Sequence, residues 1–258
     1  MSLLIGVHSQ QPATIHFSFA DNVSDKAVNN YMGSWGVGYF GDQGCQIYLD
    51  HDYSQLSPIA NLFKQLPIKS KNFIAYTDGA ASKNCLLRNS QPFCRQLWGK
   101  NWIFSHQGFY YNFEPSLNGH YLPVGETNSE VLFCYLLQEL EKLFPYAHRQ
   151  IPSICEVKQA LTVLAKKIAQ NGVFNFLLSD GDFLFAYCST ELFYTIRQYP
   201  LPNSTLSECQ ISIDFNQHSI TSEKIIVITS TPLSTNESWV SITSGQAMLF
   251  QDGICIDC

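Results

Sequence analysis

The sequence has few basic residues and no long apolar run, and both absences narrow what the protein can bind. Lys and Arg number 15 against 21 Asp and Glu among 258 residues, which gives a formal net charge of −6. Such a composition offers little positive charge for nucleic acid or an anionic membrane. No run reaches the roughly 18 apolar residues of a membrane span, and the start lacks the basic segment of a secretory signal. We therefore expect a cytoplasmic protein with neither a nucleic-acid nor a membrane partner.

The nine cysteines do not form the pattern of a disulfide framework. Their number is odd, and several of them lie in apolar segments, such as Cys134, Cys155 and Cys188. This usage is typical of reduced, buried thiols in a cytoplasmic protein. Cys255 and Cys258 form a C-x-x-C, but a zinc site needs further ligands, and the sequence places no convincing second pair. We expect reduced cysteines, no metal and no cofactor.

The chain begins with an apolar run of strand length, Met1–Val7, in which the only polar residue is Ser2. Chain termini are usually polar and loosely held, so this start predicts a buried first strand. Removal of Met1 would leave Ser2 with a free α-amine beside its hydroxyl. An α-amine has a pKa near 8 and serves as a general base for an adjacent nucleophile. The alternative is that Ser2 is an ordinary first residue and that the strand only packs.

The glycines at Gly36, Gly38 and Gly41 match a dinucleotide-binding motif by letter only. That motif must follow a strand and open a helix. Here a turn at Asp42–Gly44 and a second apolar run, Cys45–Leu49, come next. The segment therefore predicts a β-hairpin rather than a nucleotide site.

The order of the predicted elements indicates an α+β protein. Strands fill most of the first third, although residues 79–96 resemble a loop, and two amphipathic helices follow, at Asn128–Phe144 and from Ser153 onward. Thr127 and Glu130 have the spacing of a capping box for the first of these helices. Strands fill the remainder, and no linker divides the chain. We predict one domain over residues 1–258, with two antiparallel sheets covered by helices.

Several segments together resemble class II glutamine amidotransferases, and most closely the stand-alone bacterial type. The segments that carry the resemblance are the N-terminal strand, Ser34–Tyr39, Asn89–Phe93, Phe104–Gly108, Pro123–Glu130 and Gly172–Gly181. The resemblance covers nearly the whole chain. It implies the N-terminal-nucleophile (Ntn) hydrolase fold, a four-layer αββα sandwich with the nucleophile at the start of a central strand. It also implies hydrolysis of the glutamine amide.

The sequence departs from this family at the positions that carry the chemistry. The resemblance implies a cysteine nucleophile where this chain has Ser2, and a hydroxyl is harder to ionise than a thiol. It implies an oxyanion hole made by an Asn side chain and the next Gly N–H. Here the residues are Gln107, whose amide is displaced by one methylene, and Gly108. Misplacing an oxyanion donor costs on the order of 10²–10³ in rate.

The implied substrate-binding positions have also changed. An arginine is expected to hold the glutamine carboxylate where this chain has Asp78, and an aspartate to hold the ammonium where it has Asn128. Losing one partner of a desolvated charge pair costs roughly 2–5 kcal/mol. Reversing a charge adds repulsion. His106 and Thr127, the latter in the Gly125–Thr127 turn, still match positions that shape the pocket.

Three hypotheses follow from these departures. The first is a relative that cannot hydrolyse glutamine and acts as a binding or regulatory module for a small amide or amino-acid-like ligand. The second is an active Ntn amidohydrolase that uses Ser2 on an amide other than glutamine. The third is an ordinary glutamine amidotransferase.

Overall fold

The computed structural model describes residues 2–19, 33–51, 57–65, 68–78, 86–111, 113–198, 211–215 and 224–258. Met1 and residues 79–85, the first part of the predicted loop 79–96, lie outside these ranges. The helices are α1 (Pro58–Gln65), α2 (Asn128–Leu143) and α3 (Ile154–Ala169), with a 3-10 turn at Leu87–Asn89. The strands are β1 (Leu3–Phe19), β2 (Trp35–Gly41), β3 (Gly44–Asp50), β4 (Ile68–Thr77), β5 (Phe93–Leu97), β6 (Lys100–Tyr110), β7 (Gly172–Ser179), β8 (Phe183–Tyr187), β9 (Phe193–Gln198), β10 (Ile211–Phe215), β11 (Lys224–Thr229), β12 (Val240–Ser241), β13 (Ala247–Gln251) and β14 (Ile254–Cys255).

The strands form two antiparallel sheets. The first has the order β12-β9-β11-β1-β4-β2-β3, with β10 also paired to β1, and the second has the order β14-β13-β8-β7-β6-β5. The apolar first strand takes the central place that its composition predicts, between β4 and β11. The predicted hairpin is confirmed, because β2 and β3 pair directly with each other. Trp35 lies opposite Asp50 at one end of the pair, and Gly41 lies opposite Gly44 at the other. None of the described helices is both long and apolar enough to cross a membrane.

Three apolar cores separate four layers. One core joins the two sheets, with Leu4 and Ile74 from the first sheet and Leu177 from the second. A second core packs α2 and α3 on the outer face of the second sheet. The third places Phe63 of α1 against the outer face of the first sheet. The predicted α+β class and the αββα sandwich are thereby confirmed.

Some boundaries differ from those predicted. Residues 3–19 form one long strand, and the register shift between His8 and Ala13 explains why the sequence resembles two separate segments. The predicted loop also contains a strand, β5, which begins at Phe93 and pairs with β6. Its five residues are too few for a clear alternating pattern.

The expectation that the cysteines are reduced is wrong for two of them. Cys155, at the start of α3, and Cys258 form a disulfide bond, so the terminal C-x-x-C is not held as a pair of thiols. Their separation of 103 residues explains why no local pattern revealed this bond. Cys45, Cys94, Cys134, Cys188 and Cys255 are free thiols.

Candidate functional site

Ser2 and Asp78 meet at one end of the first sheet. Leu3 on β1 is paired with Thr77 on β4, and the strands are antiparallel, so Ser2 precedes one strand just where Asp78 follows the other. The Ser2 hydroxyl donates to Asp78 Oδ1 over 3.3 Å, and both residues are half-buried. The Asp78 backbone N–H donates to the Ser34 carbonyl at 2.7 Å, which fixes Asp78 beside the start of β2.

The alternation of side chains along the strands directs this pair toward the second sheet. Leu4 and Tyr76 belong to the core between the sheets. Ser2 and Asp78 lie two residues from Leu4 and Tyr76, respectively, and therefore share their face. Burial raises the pKa of Tyr76 to about 12, while the Ser2 side chain acts in the opposite direction. At neutral pH the phenol is protonated.

Gln107 reaches this end of β1 from the second sheet. On β6 the side chain of Ile103 enters the core between the sheets, and Gln107, four residues later, lies on the same face. The Gln107 Nε2 donates to the Ser2 carbonyl at 2.7 Å. Three of the predicted residues, Ser2, Asp78 and Gln107, are thus joined by hydrogen bonds although they are distant in sequence.

Gly108 occupies a position that excludes a side chain. Its φ is +150°, and a Cβ placed there would lie 2.0 Å from the Val173 carbonyl oxygen. Only glycine lets β6 approach β7 this closely while it passes the Ser2 site. The need for glycine here is steric, so it does not depend on the chemistry of the neighbouring side chains.

His106 faces away from Ser2, toward the helix layer. Its Nδ1 lies 2.9 Å from Ser129 Oγ and its Nε2 lies 3.3 Å from the Val173 carbonyl. Burial lowers the pKa of His106 to about 4, so the ring is neutral at pH 7. The Gln91 side chain brackets the backbone of His106, accepting from its N–H at 2.6 Å and donating to its carbonyl at 2.9 Å.

The turn before α2 is held by a buried carboxylate. Glu130 accepts the backbone N–H groups of Val124 and Gly125, at 3.0 and 2.7 Å, and forms an ion pair with Arg95. Thr127 is the N-cap of α2, and its hydroxyl accepts from the Glu130 N–H at 3.3 Å. The predicted reciprocal capping box is wrong, because the Glu130 carboxylate turns to Arg95 and the preceding turn. Of the two hydrogen bonds of a capping box, only the one from the Glu130 N–H to the Thr127 hydroxyl is present.

The structure divides the predicted site residues between two places. Ser2 is hydrogen-bonded to both Asp78 and Gln107, and Gly108 follows Gln107 directly. Thr127 and the exposed Asn128 lie at the N-terminus of α2, which the neighbouring Ser129 connects to His106. Sequence reasoning missed Tyr76, although its place two residues before Asp78 on a strand puts both on one face.

Comparison with known proteins identifies the family. The model of the class II glutamine amidotransferases matches residues 1–258. A Haemophilus influenzae protein named "putative glutamine amidotransferase" is 35% identical over 98% of this chain and 85% of its own length. An Escherichia coli protein, "putative glutamine amidotransferase YafJ", is 36% identical over 97% of each.

A solved structure is similar over the whole molecule. The crystal structure of a "predicted glutamine amidotransferase" from Pseudomonas aeruginosa superposes with a TM-score of 0.82 at 30% identity, covering 99% of both chains. This chain belongs to the class II glutamine amidotransferase family, and its fold is the Ntn-hydrolase sandwich.

Proposed function

We propose that this protein does not hydrolyse glutamine and that it uses the amidotransferase fold as a binding or regulatory module for a small amide or amino-acid-like ligand. The observation that carries the proposal is the position of Asp78, whose Oδ1 lies 3.3 Å from the Ser2 hydroxyl. An acid thus stands beside the candidate nucleophile, where the resemblance implies an arginine for the substrate carboxylate. We further propose a cytoplasmic location on the strength of the composition.

The repulsion between Asp78 and the carboxylate of glutamine is large enough to exclude glutamine as the ligand. Two like charges 4 Å apart repel by about 4 kcal/mol at an effective dielectric constant of 20. The lost arginine contact adds roughly 2–5 kcal/mol to the cost of binding the glutamine carboxylate. Asn128 removes the negative charge that would hold the ammonium. Together these changes weaken recognition at both ends of the amino acid.

The attacking groups support the same proposal. Ser2 supplies a hydroxyl, which is ionised far less readily than a thiol at neutral pH. The Gln107 amide, the candidate oxyanion donor, already donates to the Ser2 carbonyl at 2.7 Å. An amide engaged in this way is not oriented toward a developing oxyanion.

A second function, amide hydrolysis by Ser2 on a substrate other than glutamine, has one observation in its favour. The Asp78 carboxylate accepts the hydrogen bond of the Ser2 hydroxyl, as a base that assists a nucleophile would. This function also requires a free Ser2 amine. Intact-mass measurement tests that requirement directly, because it shows whether Met1 is attached to the purified protein.

Ammonia release from glutamine and asparagine tests the proposal when natural and substituted proteins are compared. The restored variant carries Ser2→Cys, Asp78→Arg, Gln107→Asn and Asn128→Asp. We expect no release from the natural protein and measurable glutamine hydrolysis by the restored variant. A matched variant that has the other three changes but keeps Asp78 is expected to remain inactive.

The same experiment separates the hypotheses. Release from glutamine by the natural protein would overturn the proposal in favour of an ordinary amidotransferase. Release from another amide that is lost in Ser2→Ala would establish the second function. Ligand-dependent thermal stabilisation of the natural protein by an amino-acid-like compound, without ammonia release, is the outcome the binding role predicts.

A further inference from the structure

Two free thiols face each other where the edges of the two sheets meet. Cys45 lies on β3, the edge strand of the first sheet, and Cys94 lies on β5, the edge strand of the second. Their sulfur atoms are 3.6 Å apart, and both residues are half-buried. A bond between them would therefore join one sheet to the other, and both residues keep some exposure to solvent.

The backbones on either side of this pair are already in close contact. A Cβ added at Gly36 would lie 2.3 Å from the Gln91 carbonyl oxygen, and one added at Gly38 would lie 2.9 Å from Pro92 Cγ. We call this contact of β2 and β3 with residues 91–94 the sheet seam. A disulfide needs its sulfurs about 2.05 Å apart, so they must approach by about 1.5 Å. We expect side-chain rotation to cover that distance while the seam stays in contact.

The surroundings give the two thiols different roles. Hydrogen bonding from Cys45 lowers the pKa of Cys94, and the charge of Arg95 acts in the same direction. The same hydrogen bond, together with burial, raises the pKa of Cys45. Arg95 donates to the Cys94 carbonyl at 2.8 Å and so places positive charge beside Cys94, and we therefore assign Cys94 as the nucleophile and Cys45 as the resolving thiol.

We propose that Cys45 and Cys94 are a redox site that forms a reversible disulfide bond across the sheet seam by exchange with a low-molecular-weight disulfide. The Cys94 thiolate attacks one sulfur of the small disulfide, forming a mixed disulfide and releasing one small thiol. Cys45 then loses its proton and attacks Cys94 Sγ, which releases the second small thiol. Two protein thiols are oxidised and one small disulfide is reduced to two thiols.

The bond would stabilise the seam beside the candidate site. Gln91, within the seam, holds both backbone polar groups of His106, the residue next to Gln107. A cross-link between residues 45 and 94 also restricts the unfolded chain. We expect oxidation to raise the melting temperature by about 5–10 °C, the shift that a typical disulfide gives a domain of this size.

Redox titration of the full natural chain tests the site. The protein is equilibrated with mixtures of reduced and oxidised glutathione, free thiols are alkylated, and peptides are mapped by mass spectrometry. We expect a Cys45–Cys94 peptide that forms and disappears with the glutathione ratio, independently of Cys155–Cys258. Persistent alkylation of both thiols, or glutathione that stays on Cys94 without ring closure, would overturn the proposal.

Three single variants complete the test. Cys45→Ser and Cys94→Ser should each abolish the cross-linked peptide and the redox-dependent rise in melting temperature. Cys255→Ser, which removes an exposed thiol elsewhere, should leave both unchanged. A Cys45→Ser protein that retains the full thermal shift would contradict the assignment. The peptide map of the natural chain decides the matter if a variant fails to fold.

Discussion

At the scale of single residues, Gly108 makes a prediction that does not depend on function. Gly108→Ala would place a Cβ 2.0 Å from the Val173 carbonyl oxygen, in a backbone that also has a positive φ. We expect a loss of about 2–4 kcal/mol in the free energy of unfolding, measured by urea denaturation. The matched control is Gly99→Ala, since Gly99 has a φ of +76° but no atom within 4 Å of the added Cβ. That control should lose only about 1 kcal/mol, and equal losses would contradict the steric account.

His106 makes a prediction about pH. Its pKa is about 4 in the folded protein and 6.5 in the unfolded chain, so below pH 6.5 the unfolded state binds more protons. The contribution of His106 to the free energy of unfolding is therefore fully present above pH 6.5, and it is lost as the pH falls toward 4. The contribution of this residue amounts to about 2 kcal/mol between pH 7 and 5. Burial also lowers the pKa of His8, which adds to the loss.

Urea denaturation at pH 7 and pH 5 checks this effect. His106→Gln keeps a polar group near Ser129 but cannot take up the proton. Between pH 7 and pH 5, the free energy of unfolding of the variant should fall by about 2 kcal/mol less than that of the natural protein. An unchanged pH dependence in His106→Gln would show that His106 is not the group responsible.

The sequence identified most of the residues that meet at the site, but not their contacts. The apolar run of β1 placed Ser2 at the start of a strand, and the resemblance to the amidotransferase family pointed to Asp78. Nothing local indicated that the Gln107 amide donates to the Ser2 carbonyl, because that contact joins the two sheets. The Cys155–Cys258 bond is likewise set by tertiary packing.

At the scale of elements, the start of α2 depends on Glu130. Its carboxylate is buried, accepts two backbone N–H groups and pairs with Arg95. Glu130→Gln leaves Arg95 without its counter-charge and weakens the acceptor, so we expect a loss of about 2–3 kcal/mol in the free energy of unfolding.

The matched control for Glu130 is Glu126→Gln, in the same turn. Glu126 forms an ion pair with Arg88 at 2.8 Å, but both side chains are exposed. Exposed ion pairs contribute little to stability, so Glu126→Gln should lower the free energy of unfolding by no more than about 0.5 kcal/mol. A comparable loss in both variants would mean that burial does not distinguish the two carboxylates.

Helices were easier to predict than the short and irregular strands. The apolar spacing of α2 and α3 predicted their positions, and in the structure Ser153 and Glu156 form a capping box at the start of α3. The irregularity in β1 and the five-residue β5 escaped prediction. Their pairing is decided by partner strands rather than by their own sequence.

At the scale of the whole molecule, the order of strands and helices indicated the class of fold, and the resemblance supplied the four layers. Each of the three cores contains apolar residues that alternation assigns to one face, as with Leu4 and Ile5 on opposite faces of β1. The single-domain description over residues 1–258 stays a prediction.

The central claim is that the scaffold of an amide-hydrolysing family is kept here without its glutamine chemistry. The measurement that tests this claim most directly is ammonia release from L-glutamine by the natural, full-length protein, after intact mass has shown whether Ser2 is the first residue. The account predicts a rate indistinguishable from that of Ser2→Ala. Sustained release from glutamine that disappears in Ser2→Ala would contradict it.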